Sequence, residues 1–291
     1  MHFHFCTANH SRQGRESLID MMVWFRSGLE RLGHRVTESD RGFDQGAVNI
    51  LWELFTDKDA KLLKESGVRY GIVATEIADG DGFNQRRDGA WPERWAGFLK
   101  AAEGASFIWT TVERSQPFYA QLAPTAFIEF GFVEELVSPL AAEEPTADFF
   151  FLGSVTEYRR PIIDRLRRHA RINCPGTIVR WSAGERVMAS AKVGLVLKLS
   201  ADWPLPSPAR VGRILLARRG LAAEHTVDST KQSMIVPSAP AGADFVEFAM
   251  SKLGEGWRRD ADAAFERYRS ELPMARIMER VLDLTCSASA A

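Results

Sequence analysis

Apolar positions along this chain fall into short runs that alternate with stretches of helical spacing. That alternation is the mark of βαβ units and a mostly parallel sheet. His2 to Thr7 reads as a first strand. Leu18, Met21, Met22, Phe25, Leu29 and Leu32 then recur at helical spacing, and Gly33 stands where a C-terminal cap glycine belongs. Further strands are predicted at Arg35 to Glu38, Val48 to Phe55, Tyr70 to Thr75, Ser106 to Thr111 and Ala126 to Phe130, with a helix near Ser115 to Leu122. The Val48 to Phe55 run is rich in apolar residues, as a sheet covered on both faces requires.

Leu136 to Ala147 holds Pro139 and Pro145 among small and acidic residues and reads as a linker. The pattern then restarts. Strands are expected at Asp148 to Gly153, Ile178 to Trp181, Val193 to Ser200 and Leu221 to His225. Helices are expected at Tyr158 to His169, Gly184 to Ala191, Arg210 to Arg219, Asp244 to Leu253 and Trp257 to Leu284, the last broken near Pro273. The predicted fold class is α/β: two Rossmann-like domains, 1–140 and 146–291, facing each other across a cleft that holds the functional site.

Composition narrows the function classes. The chain has 291 residues, 45% of them hydrophobic, and a formal net charge of −1. Two cores of ordinary size are affordable, and no global charge favours nucleic acid as a partner. No apolar run approaches the ~20 residues that cross a bilayer, which leaves only peripheral membrane contact open. The N-terminus lacks the basic start and apolar core of a secretory signal. Cys6, Cys174 and Cys286 are widely spaced and odd in number, so neither a disulfide framework nor a structural zinc site is indicated. A cytoplasmic location is the expectation. Of the eight tryptophans, Trp24, Trp95 and Trp109 fit core positions, and Trp181 and Trp203 lie near loops of the second half.

Candidate chemistry sits in the loops that leave the strands. The first loop, Ala8 to Gly14, is neither GxGxxG nor a P-loop, which argues against a nicotinamide or flavin cofactor and against P-loop nucleotide hydrolysis. It carries His10, a general base by its ordinary titration range. Glu53 is an acid in an otherwise apolar strand, where burial would raise its pKa. Glu76 opens a loop, Thr75 to Gly82, with three carboxylates and two glycines. That loop lacks a calcium-binding register and reads equally as a turn.

The second half has more to offer an anion. Gly153 lets backbone approach a ligand, Ser154 can cap the following helix, and Arg159 stands at that helix's start. Lys192 precedes a strand and Lys198 interrupts its end. Arg210 follows the rigid Pro204 to Pro208 stretch and enters the first turn of a helix, where a cation opposes the helix dipole unless an anion is bound. Glu224, His225 and Thr226 end the last strand and suit sugar or ribose hydroxyls, or brace their own loop.

In that order, the second half resembles the nucleotide-binding half of GT-B-fold glycosyltransferases, most of all a bacterial group with spore-maturation and lipopolysaccharide-type members. The matched pieces are Phe151-Leu152-Gly153-Ser154 with Tyr158-Arg159, Ala189 to Leu195, Pro206-Ser207 with Arg210, and Ala217 to Gly220 with Glu224. The resemblance covers roughly residues 148–284. It implies sugar transfer from an activated, nucleotide-linked donor to a saccharide, protein or small-molecule acceptor in polysaccharide biosynthesis or decoration, without a protein-bound metal or other cofactor. The donor phosphate would lie near Gly153, Ser154, Lys192 and Arg210, and the acceptor on the first half. Many members carry a glutamate for the donor's ribose where this chain has Arg213, which suits an acidic donor group better. A non-catalytic two-lobed binding protein or partner subunit of the same fold is the alternative, and a sugar-phosphate isomerase or epimerase is a third reading.

Overall fold

A computed structural model describes residues 1–7, 10–40, 42–53, 55–176 and 181–286. The elements run β1 (His2–Cys6), α1 (Arg12–Arg31), β2 (Arg35–Ser39), β3 (Val48–Trp52), α2 (Asp57–Ser66), β4 (Tyr70–Ala74), α3 (Trp91–Ala102), β5 (Ile108–Thr110), α4 (Gln116–Tyr119) and β6 (Thr125–Phe127). They continue with β7 (Ala147–Phe150), α5 (Arg159–Arg167), β8 (Ile172–Asn173), α6 (Trp181–Ala189), β9 (Ala191–Val196), α7 (Pro208–Leu216), β10 (Gly220–Ala223), α8 (Phe245–Ser251), α9 (Trp257–Glu271) and α10 (Met274–Thr285).

The chain divides into two compact units, Met1–Ile128 with Met274–Ala291, and Glu129–Pro273. Each is a Rossmann-like α/β unit on a parallel sheet. Unit 1 has six strands in the order β2-β1-β3-β4-β5-β6, and unit 2 has four in the order β8-β7-β9-β10. The first four strands of both sheets thus follow one winding, in which the order reverses beside the first strand of the unit. Ligands in open α/β sheets bind beyond the carboxyl ends of the strands at that reversal. In unit 1 the reversal lies between β1 and β3, and in unit 2 between β7 and β9.

Local chemistry explains the elements. β3 and β4 are buried at every residue, as strands covered on both faces must be. Ser11 caps α1 by accepting from the Gly14 amide at 3.1 Å. Gly33, at φ +80°, closes the helix in a Schellman motif: its amide donates to Glu30 and the His34 amide to Leu29. α2 opens on a reciprocal Thr56–Asp59 capping box. α3 packs on the backbone that follows β3, where a Cβ on Gly97 would come within 2.2 Å of the Phe55 carbonyl oxygen. The sequence reading names neither α2 nor α3, although Trp91, Trp95, Phe98 and Leu99 recur at helical spacing along α3; the capping box holds the start of α2, and the glycine contact sets α3 against the backbone.

Three sequence expectations change. The second strand of unit 2 is Ile172–Asn173, whereas 178–180 lie outside the described residues and Trp181 begins α6. The stretch 136–147 is not a free linker: Arg219, 1% exposed, donates to the carbonyls of Ala141 and Glu143 at 3.1 Å, of Leu140 at 3.5 Å and of Ala189 at 2.9 Å, pinning the segment to unit 2. The boundary between units falls at Ile128/Glu129 instead, and the C-terminal helices separate. α9 stays in unit 2, while α10 returns to unit 1, packs on α1 and places Thr285 to accept from the Trp109 indole at 3.1 Å.

Candidate functional site

Unit 1 gathers its chemistry at the β1/β3 reversal. Glu53 is the residue after β3 and is 5% exposed. Its Oε1 accepts from the Thr75 hydroxyl at 2.8 Å, while Oε2 is buried without a partner. Burial, and then the charge of Glu76, push its pKa well above the usual carboxylate range. Glu76 follows β4. Its Oε1 accepts from Arg94 Nη2 at 3.1 Å and its Oε2 from Asn84 Nδ2 at 2.6 Å. Asn84 sits at φ +55°, and its Oδ1 accepts from the Ile77 amide at 3.0 Å, so a tight hairpin aims it back at the strand end. Tyr119 Oη donates to the Glu76 carbonyl at 3.2 Å.

Arg94 comes from α3. Its Nη2 also reaches the Glu53 carbonyl at 3.4 Å, and its guanidinium lies 4.3 Å from the Trp91 ring. Its Nε is buried and has no partner. His10 leaves β1 on the other side of the reversal. Burial lowers its pKa, the Trp52 carbonyl opposes that shift, and Arg94 and Arg15 add to it. Its Nε2 is buried and unpartnered. The structure therefore brings His10, Glu53 and Glu76 together around Arg94, a residue the sequence reading did not name. The other two acids of the loop turn away, Asp79 pairing with Arg87 at 3.2 Å and Asp81 pairing with the same guanidinium. Beside this group, at the carboxyl ends of β1 and β2, a cavity of about 670 Å³ is lined by Thr7, Arg15, Ile19, Met22, Val23 and Asp40 among others.

Unit 2 gathers cations at the β7/β9 reversal. Gly153, at φ +152°, follows β7, and a Cβ there would meet Arg210 Nη2 at 2.7 Å. The missing side chain is what admits that guanidinium. Arg210 Nε donates to the Leu152 carbonyl at 2.8 Å, and the guanidinium lies 5.0 Å from the Phe151 ring. Its Nη1 is buried without a partner. Burial, and then the neighbouring Arg159 cation, push Arg210 down to about 9. An arginine in that state is a cation lacking its anion.

Arg159 is spent on backbone. It donates to the carbonyls of Lys198, Ser154 and Leu197 at 2.7, 2.9 and 3.0 Å, tying the β7 exit to the β9 exit. Glu224 is equally committed: Tyr158 Oη donates to it at 2.5 Å and the Lys198 amide at 2.6 Å. Burial, with that acceptor, pushes the Tyr158 phenol up. Lys198 Nζ donates to the Ala201 carbonyl and lies 5.6 Å from the Tyr158 ring. Thr226 binds its own loop at the Asp228 carbonyl, 2.9 Å away, and His225 is exposed.

Three expectations about individual residues change with these contacts. Ser154 does not cap α5; it is exposed, and the Arg159 amide donates to Thr156 Oγ1 at 3.3 Å instead. Lys192 does not join the anion group. It stands at the amino end of β9 and pairs with Asp148 at 3.5 Å, at the far edge of the sheet. Nor does Arg213 face a ligand: it is buried against Glu185 of α6 and donates to the Leu136 carbonyl at 3.5 Å. Ser138 Oγ donates to the other Glu185 oxygen at 2.5 Å. Among the described residues no group of His, Cys, Asp and Glu is placed to hold a metal ion, and no helix is long and apolar enough to cross a membrane.

No protein-family model matches the chain, and no curated protein does. Solved structures do. The DNA-modifying enzyme β-glucosyltransferase, solved in the presence and absence of uridine diphosphoglucose, superimposes with a TM-score of 0.59 at 8% identity, over 98% of this chain and all of its own. AviGT4, a glycosyltransferase involved in avilamycin A biosynthesis, gives 0.57 at 10% identity over 98% and 97%. A putative UDP-N-acetylglucosamine 2-epimerase from Listeria monocytogenes gives 0.52 at 8% over 99% and 96%. Identities this low report architecture, and the architecture is held in common by transferases and an epimerase. The chain thus has the two-domain Rossmann-like fold of GT-B glycosyltransferases, in both units and over nearly its whole length.

Proposed function

We propose that the protein transfers a sugar from a nucleotide-linked donor to a hydroxyl-bearing acceptor, holding the donor's diphosphate on unit 2 and the acceptor on unit 1. The single observation that carries this reading is Arg210. A half-buried guanidinium with a buried, unpartnered Nη1, its pKa depressed to about 9, stands at the sheet position where α/β folds bind ligands. A phosphate oxygen at Nη1 would supply the missing anion. Gly153 leaves room for the guanidinium itself, and Arg159 and Lys198 hold the two strand exits that frame it. Glu224 shapes the pocket through Tyr158 and the Lys198 amide.

A leaving diphosphate needs fixed positive charge, and an incoming hydroxyl needs a base. In unit 1, His10 has the free acceptor nitrogen for that work, and the adjoining 670 Å³ groove offers an apolar floor for the rest of the acceptor. The two solved glycosyltransferases of this fold support transfer, and β-glucosyltransferase was solved with uridine diphosphoglucose, a donor of the proposed class. The likeness to a 2-epimerase makes isomerisation of a nucleotide sugar the competing chemistry.

One experiment separates them. The protein is incubated with a panel of nucleotide sugars and a panel of mono- and disaccharides, and products are followed by nuclear magnetic resonance. Transfer predicts free nucleoside diphosphate together with a new glycosidic linkage. An epimerised nucleotide sugar with no release of the diphosphate would sink the transfer reading.

A further inference from the structure

Unit 1 holds two carboxylates and one cation at the end of its sheet. Arg94 Nη2 serves Glu76 at 3.1 Å, and Asn84 completes that carboxylate at 2.6 Å. Glu53 receives only the Thr75 hydroxyl on Oε1 and the Arg94 contact on its backbone carbonyl, not on its carboxylate. Its Oε2 is buried with nothing beside it to bond. One guanidinium can balance one carboxylate; a second buried carboxylate with no cation of its own is costly unless it keeps its proton.

We propose that Glu53 is a proton-bearing carboxylic acid whose free Oε2 donates a hydrogen bond to a neutral oxygen of the ligand, and that Arg94 and Asn84 position its anionic partner Glu76. This deepens the transfer reading and rests on it only for the identity of the ligand as an acceptor. The group as a whole is then electrically balanced: Glu76 negative, Arg94 positive, Glu53 and His10 neutral. A balanced group with a free O–H donor at Glu53 Oε2, a free N–H donor at Arg94 Nε and a free acceptor nitrogen at His10 Nε2 offers the donors and acceptor that a sugar hydroxyl, which donates once and accepts twice, can use. It selects against an ammonium or a carboxylate at the same position, either of which would leave a buried charge unbalanced. Burial pushing Glu53 up, with Glu76 adding to it, agrees with the geometry.

The charged and titratable groups facing Glu53 are Glu76 after β4, Arg94 of α3 and Tyr119 of α4, with His10 after β1 sharing Arg94. The test compares the wild-type protein with Glu53→Gln, which keeps the shape and the donor and is neutral at every pH. A buried acid whose folded pKa is raised adds stability that is fully present below its unfolded value of about 4.5 and is lost as pH rises through the folded value. The difference in melting temperature, wild type minus Glu53→Gln, should therefore fall steadily as pH rises above about 4.5. His10 titrates in both proteins and cancels. Infrared spectroscopy at pH 7 should show a protonated carboxyl band that Glu53→Gln removes. Transfer activity in Glu53→Gln should stay within about tenfold of wild type, whereas Glu53→Ala should lose far more. A flat difference curve with no protonated carboxyl band would overturn the protonation, whatever the reaction. A band that is present, with activity abolished by Glu53→Gln in a stably folded protein, would overturn the hydrogen-bonding role and make Glu53 an acid that gives up its proton. Failure of the transfer reading alone would leave the band and the slope in place.

Discussion

At the scale of single residues, the decisive features are polar atoms buried without partners. Native folds satisfy most buried polar groups, so an orphan beside a sheet's carboxyl end points to something that completes it. Arg210 Nη1 in unit 2, with Glu53 Oε2, His10 Nε2 and Arg94 Nε in unit 1, are such atoms. Arg213 shows the opposite outcome. It stands where the resembling family carries a glutamate, yet Glu185 and the Leu136 carbonyl have taken it, and its charge is settled within unit 2. Arg213→Glu would bury two carboxylates against each other and should cost on the order of 3–5 kcal/mol in a chemical denaturation experiment. Adding Glu185→Arg should restore much of the loss, and a double variant as unstable as the single one would show that the pair does not act as a pair. His10 makes a second pH claim. Its folded pKa is lowered by burial, so its share of stability is present above the unfolded value of about 6.5 and is lost as pH falls below it. His10→Gln should flatten that acid-side decline in thermal melts between pH 7 and 5.

At the scale of elements, strands were easier to read than helices, and the reason is physical. β3, β4 and β9 are covered on both faces along most of their length, so their sequences are apolar-rich runs that need no partner information. α2 is short and buries only Ala60 and Leu63, while α3, whose Trp91, Trp95, Phe98 and Leu99 do recur at helical spacing, was passed over in the sequence reading. β8 is two residues long and leaves almost no pattern. The consequence for the site is direct, because α3 carries Arg94. Gly97 is what lets α3 lie on the backbone after β3, and a methyl there would meet the Phe55 carbonyl oxygen at 2.2 Å. Gly97→Ala should destabilise unit 1 by about 1–3 kcal/mol, as overpacking does, and lower the melting temperature by several degrees. It should also move Arg94 off Glu76. An unchanged melting temperature would mean that α3 does not depend on that close approach.

At the scale of the molecule, two α/β halves were legible in the sequence, because the strand–helix rhythm visibly restarts after residue 147. Where the halves end was not. Pro139 and Pro145 suggest a linker, but Arg219, placed 76 to 79 residues away, clasps that stretch through its carbonyls. A contact of such long range has no local signature. The return of α10 to unit 1 was hidden for the same reason, since helix periodicity tells which face is apolar and not what will cover it. Met274, Met278, Val281 and Thr285 of α10 are buried, and Met274 and Met278 approach Gly28 of α1. Truncation after Pro273 should therefore unfold unit 1 preferentially. Limited proteolysis should cut within residues 1–128 first, and protection of that region in the truncated protein would contradict the division.

The candidate site was legible in part. His10, Glu53, Glu76, Gly153 and Arg210 leave strand ends or enter helix starts, and those positions are visible in a sequence. Arg94 and Asn84 were missed because one sits in the first turn of a helix the sequence reading does not name and the other in a left-handed turn with no glycine to mark it. Lys192 was misplaced although it precedes its strand, because the amino end of a parallel strand lies opposite the ligand-binding end, and there it pairs with Asp148.

The central claim is that unit 2 binds the diphosphate of a nucleotide through Arg210. Isothermal titration of nucleoside diphosphates into wild-type protein and Arg210→Ala tests it most directly. Losing a charge-assisted hydrogen bond of about 1.5–3 kcal/mol predicts roughly 10- to 150-fold weaker binding in the variant, with its fold intact by circular dichroism. Equal affinity in the two proteins, or no nucleotide bound by either, would contradict the account.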